Sequence, residues 1–119
     1  MIKRSLAVAL ILAGFSCPAH ASTPAYFNKV VDAIYKAEGG HKAKVPYAIL
    51  SIKVSSKEEA RRVCYNTVRN NWKRWETAGR PGTYLEFLAK RYAPINAEND
   101  PKGYNKHWLK NVSYFVEAL

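Results

Sequence analysis

Cysteine, histidine and acidic residues are all scarce in this 119-residue chain: two Cys, three His and nine Asp+Glu stand against 19 Lys+Arg. Cys17 lies in an apolar N-terminal segment, which leaves Cys64 alone in the remainder. A lone cysteine excludes an internal disulfide. Cys64 falls within a helical apolar pattern, so a buried inert thiol is expected rather than a nucleophile. His20 shares the N-terminal segment, and His41 and His107 are far apart with no Cys or carboxylate at ligand spacing. No metal site and no cofactor are therefore expected. A phosphate-binding loop is also missing, because Glu38-Gly39-Gly40 has neither the downstream Lys-Ser/Thr nor the preceding strand. Internal repeats and low-complexity segments are absent.

Long hydrophobic runs are lacking too. The run Leu6 to Phe15 is shorter than the roughly 20 residues that a membrane span needs. Lys3 and Arg4 precede it and Ala19-His20-Ala21 follows as a small-x-small site. This pattern predicts a signal peptide over residues 1–21, cleaved after Ala21, and a periplasmic or secreted protein. Lipidation at Cys17 is the competing reading. Phe15, and the absence of a branched aliphatic at Gly14, make Gly14-Phe15-Ser16 a poor match to it. Residues 22–119 then form one small domain that holds Trp72, Trp75 and Trp108.

The shortage of acids leaves the full chain at +10. The leader carries two of the Lys+Arg and no acid, so the mature chain has 17 minus 9, or +8. Such a balance implies an anionic partner. Cell-wall polymer, membrane phospholipid and released nucleic acid all fit, and charge does not choose among them.

The expected fold is mostly α, with about four helices and one short extended segment after the first. Phe27, Val30, Val31, Ile34 and Ala37 recur at helical spacing, and Gly39-Gly40 is the stop signal. Ile49 to Val54 is the extended segment, since Leu50, Ile52 and Val54 alternate with Ser51 and Lys53. Ser56-x-x-Glu59 is a capping box that opens a long helix with a stripe of Ala60, Val63, Cys64, Thr67, Val68, Trp72 and Trp75. Thr83-Tyr84-Leu85-Glu86 is a second capping box, and its helix buries Tyr84, Leu85 and Leu88 and runs to Tyr92 before Pro94. A loop over residues 95–103 leads to a last helix carrying Trp108, Leu109, Val112, Phe115 and Val116.

Two features could carry chemistry. The long helix is basic (Lys57, Arg61, Arg62, Arg69, Lys73, Arg74), and Tyr65, Trp72 and Trp75 are interleaved with these charges. That suggests a nucleic-acid footprint, but the tryptophans fall on the apolar stripe and serve the core, so a solvated helix face is favoured. The other feature is Glu38, at the end of the first helix. A carboxylate at the negative end of a helix dipole is poorly placed for stability, and the same position keeps it protonated, as a general acid requires. The alternative is a solvated glutamate beside a C-cap. A two-carboxylate glycosidase needs two acids about 5 to 9.5 Å apart. Asp32 is six residues away on another face, and Glu58 and Glu59 belong to a helix start. Glu98 and Asp100, in a loop, stay open as partners.

Ala33-Ile34-Tyr35-Lys36-Ala37-Glu38-Gly39-Gly40, followed by Tyr47-Ala48-Ile49-Leu50-Ser51, resembles the active-site helix and following turn of the lysozyme-like superfamily. The likeness is to small exported and phage-associated lytic transglycosylases. Arg91-Tyr92-Ala93-Pro94 and Asn105-Lys106-His107-Trp108-Leu109-Lys110-Asn111-Val112 extend it over nearly the whole mature chain. Two positions depart from the pattern. Ala48 stands where the family has Gly, which puts sugar approach in doubt, and Ala93 stands where relatives have Cys. The resemblance implies a lysozyme-like α+β domain that cleaves peptidoglycan between N-acetylmuramic acid and N-acetylglucosamine. It implies Glu38 as the single acid/base, no cofactor, and Tyr47, Ser51, Tyr92, Trp108 and Asn111 as substrate-binding residues. It also suggests service to a secretion or conjugation apparatus. The alternative on the same fold is a non-catalytic module that binds peptidoglycan or protein.

Overall fold

The computed structural model describes residues 23–43, 47 and 55–119. The described residues are mostly helical and include no strand. The signal peptide, Ala48, Ser51 and the extended segment expected at 49–54 lie outside them. Four helices are present: α1 over residues 23–37, α2 Lys57–Thr77, α3 Tyr84–Tyr92 and α4 Trp108–Ala118. Short 3-10 turns follow α1 at Gly40–Lys42 and precede α4 at Tyr104–His107.

The first helix buries the face its spacing predicts. Phe27, Val30, Val31, Ala33 and Ile34 are all buried. It stops where the glycines begin, with Gly39 at φ 105° and Gly40 at φ 60°. Those left-handed angles are costly for a residue with a Cβ, which is why glycine ends the helix here.

The second helix starts at Ser56, whose hydroxyl accepts from the Glu59 N–H at 3.1 Å. The reciprocal half of the expected capping box is replaced, because the Glu59 carboxylate accepts from Ser55 Oγ at 2.7 Å. Ala60, Cys64, Val68 and Trp75 are buried along it, while Trp72 is half-buried. Asn71, which the apolar pattern passes over, is buried as well and donates to the Thr67 carbonyl at 2.8 Å. That bond satisfies one of its polar atoms within the helix itself.

The third helix has the complete capping box at Thr83 and Glu86. Tyr84 and Leu88 are buried as expected, whereas Leu85 is only half-buried. Tyr84 and Leu85 point about 100° apart on the helix, so the two meet the core at different angles.

The helices meet through aromatic rings. Trp72 sits 5.6 Å from Phe27, 4.9 Å from Trp75 and 4.9 Å from Tyr84 between ring centroids. Tyr26 closes the group against Trp72 and Tyr84. The Tyr84 hydroxyl donates to the Val68 carbonyl at 2.6 Å, which ties α3 to α2. A second joint links α3 to α4, where Tyr92 stacks on Trp108 with centroids 5.5 Å apart and planes 16° from parallel.

Leu88 is fully buried between these joints. Leu88→Ala is expected to lower the unfolding free energy by about 2–5 kcal/mol, and loss of the cap in Thr83→Ala by about 1 kcal/mol. Urea titration followed by circular dichroism checks both values.

Candidate functional site

Glu38 occupies the turn directly after α1. Its backbone N–H donates to the Ile34 carbonyl at 2.9 Å, and the Gly39 N–H donates to Lys36 at 3.2 Å. The carboxyl group therefore sits at the carbonyl end of the helix, where negative charge is disfavoured. The side chain is half-buried. Burial raises its pKa above the ordinary carboxylate range.

A cleft of about 570 Å³ opens beside it, within the range common for small-molecule sites. One wall is Ala37, Glu38 and Gly39. The other is the turn before α4 and its first residues: Tyr104, Asn105, His107, Trp108, Lys110 and Asn111. The cleft thus lies between the end of one helix and the start of another, more than 60 residues apart in sequence.

The fold engages the remaining candidate acids elsewhere. Asp32 pairs with Arg61, whose Nη1 donates to it at 2.6 Å, and Arg61 Nη2 also reaches Asn28 Oδ1 at 3.2 Å. Asp100 accepts from the backbone N–H groups of Tyr104 and Asn105, both at 2.8 Å. Glu98 is exposed and outside the lining. Among the described residues Glu38 is the one carboxylate that lines the cleft. The described residues contain no group of three or more His, Cys, Asp or Glu that could hold a metal ion.

Each sequence-predicted site residue has a distinct position. Trp108 and Asn111 share the cleft with Glu38. Trp108 is only 5% exposed and Asn111 is exposed. The indole N–H of Trp108 is buried with no acceptor among the described residues. Tyr92 backs Trp108 rather than lining the cleft, and its hydroxyl donates to Cys64 Sγ at 3.0 Å. Burial raises the Tyr92 hydroxyl above the ordinary tyrosine range, with Cys64 and then the Glu38 and Tyr47 charges adding to it. Tyr47 is buried at φ 60° and packs on Tyr35 at 5.2 Å. A non-glycine residue in that region is uncommon and strained. Ser51 lies outside the described residues.

Tyr104, His107 and Lys110 are lining residues that the periodicity of the sequence does not single out. They belong to a turn and a polar helix face, where no apolar repeat marks them. The basic face of α2 presents Lys57, Arg62, Arg69, Lys73 and Arg74 to solvent, while Tyr65 and Trp72 pack against the core and Trp75 is buried in it. Charges and rings of this helix thus point apart.

Comparison with protein-family models, with curated proteins and with solved structures finds no match to this chain.

Two outcomes follow from the burial of these groups. Because the folded-state pKa of Glu38 is raised, its contribution to stability is full below the ordinary carboxylate range and declines as pH rises through the raised pKa. Glu38→Gln, always neutral, is expected to melt higher than the parent near neutral pH and to match it at about pH 3, below the ordinary carboxylate range, where the glutamic acid is uncharged in both the folded and the unfolded chain. Thermal melts at the two pH values check this. Burial also pushes the Cys64 thiol up to about 12. Ellman titration at mildly alkaline pH is expected to find no reactive thiol at Cys64 in the folded chain, and to find it after denaturation.

Proposed function

We propose that this chain cleaves the glycan strands of peptidoglycan between N-acetylmuramic acid and N-acetylglucosamine on a lysozyme-like fold, with Glu38 as its single acid/base. The observation that carries the reading is a half-buried carboxyl of raised pKa on the wall of a cleft that no other described carboxylate lines. The motif resemblance names the chemistry, and the positive charge suits an anionic wall polymer.

The protonated Glu38 carboxyl donates its proton to the glycosidic oxygen as the bond from the muramoyl C1 to that oxygen breaks, and the N-acetylglucosamine hydroxyl leaves. The Glu38 carboxylate then takes the proton from the muramoyl 6-hydroxyl as that oxygen bonds to C1. The product is a 1,6-anhydro ring, and Glu38 returns to its protonated state. A carboxyl with a raised pKa is suited to the first step, because it holds its proton to higher pH than an ordinary carboxylate. No second acid is required, in keeping with the engagement of Asp32 and Asp100 in structural bonds. This reading assigns sugar contact to the lining residues Asn111, which is exposed, and Trp108, which is 5% exposed, while Tyr92 stacks on Trp108. Export through the predicted signal peptide would bring the protein to its substrate, and local opening of the wall for a secretion or conjugation apparatus is the setting this reading suggests.

Mass spectrometry of muropeptides released from purified peptidoglycan tests the proposal. The parent chain is expected to release anhydro-muropeptides, and Glu38→Gln is expected to lower that release by at least about a hundredfold while folding normally. Reducing-end products would instead mean hydrolysis with a water-activating partner. No release from the folded parent would favour the non-catalytic binding module.

A further inference from the structure

The cleft has an aromatic ring that is not part of the core. Tyr104 lines it together with Glu38 and is 65% exposed, whereas Trp108, which also lines it, is 5% exposed. A tyrosine left this open to water forgoes the burial that normally holds an aromatic side chain.

Its backbone is nevertheless held tightly. The Tyr104 and Asn105 N–H groups both donate to the carboxylate of Asp100, at 2.8 Å each. Asn105 Nδ2 donates to the Pro94 carbonyl at 2.9 Å, which anchors the turn to the end of α3. Gly103, at φ 75°, supplies the left-handed residue that turns the chain into this position. Several polar bonds therefore fix the backbone beneath an exposed ring at the rim of a cleft.

The alternative occupants of that rim are polar. His107, Lys110 and Asn111 line the same cleft as Tyr104 and offer polar groups to a ligand. An apolar ligand would leave these groups unpaired, while a sugar presents both a face of C–H groups and a ring of hydroxyls. An exposed aromatic ring in a cleft that polar side chains also line matches both parts.

We propose that Tyr104 is a sugar-stacking platform, and that the Asp100 carboxylate is its positioning residue through the two backbone bonds. The inference rests on the glycan-cleavage reading for the identity of the sugar, and it adds a binding residue to that site.

Binding of soluble glycan strands of alternating N-acetylglucosamine and N-acetylmuramic acid, freed of stem peptides, tests it by isothermal titration in a Glu38→Gln background that prevents turnover. Tyr104→Ala is expected to weaken binding about tenfold, and Tyr104→Phe to preserve it because the ring face remains. Tyr114 is equally exposed, at 66%, and lies outside the cleft, so Tyr114→Ala is expected to change nothing. Asp100→Asn is expected to weaken binding less than Tyr104→Ala, and to add little on top of Tyr104→Ala. Unchanged affinity in Tyr104→Ala would overturn the inference, as would equal losses in Tyr104→Ala and Tyr114→Ala or a failure of phenylalanine to substitute. No binding by the Tyr104-containing chain would overturn it too. Turnover by the parent chain is scored separately, so failure of the cleavage reading and failure of the platform are distinct results.

Discussion

The packing of Trp72 against Phe27, Trp75 and Tyr84 is the contact on which the rest of the structure depends. Its ring lies within 6 Å of all three by centroid distance, so one side chain touches α1, its own helix and α3. The edge-to-face pairs with Phe27 and Tyr84 add about 0.5–1.5 kcal/mol each beyond the area they bury. The geometry matters as much as the energy. With α1 held against α2 at one end of the aromatic group, the other end of α1 is aimed at a fixed place, and Glu38 is carried there.

A second contact completes the site from the opposite side. Tyr92 on α3 stacks on Trp108 at the start of α4, and Asn105 binds the Pro94 carbonyl just beyond α3. The turn before α4 is thereby tied to the end of α3. The two motif pieces around Arg91 to Pro94 and Asn105 to Val112 are thus joined physically, which gives their spacing a structural reason. The cleft forms where the carbonyl end of α1 faces this turn. Its one described carboxylate is at a helix terminus that disfavours negative charge and is partly shielded from water. Both effects act on Glu38 in the same direction, toward the protonated acid.

Helix positions were legible in the sequence because the signals are local. Double glycine after Ala37, serine at position 56 and the Thr83 capping box each act through bonds within one turn, and the observed helix ends follow them closely. The burial of Cys64 was legible for the same reason, since its place on the α2 stripe decides it. The chemistry around Glu38 was only half legible. Its helix-end position can be read from the chain, but its partial burial depends on neighbours brought in by folding. Asp32 could be set aside by helix geometry alone, while its pairing with Arg61 on α2 could not be foreseen from spacing.

By itself the sequence determined the four helices, most of their core faces, the net positive charge and the one acid at a helix end beside glycines. These follow from local periodicity, capping bonds and composition, which do not need a partner element. Tertiary structure decided which of the aromatic and polar residues reach that acid. Trp108 was visible as an apolar repeat and lines the cleft as a buried residue, whereas Tyr104 carries no periodic signal and lines it as an exposed one. The difference has a physical cause: core residues repeat because a helix face repeats, but a cleft is made of single residues from distant segments, and only their packing brings them to one place.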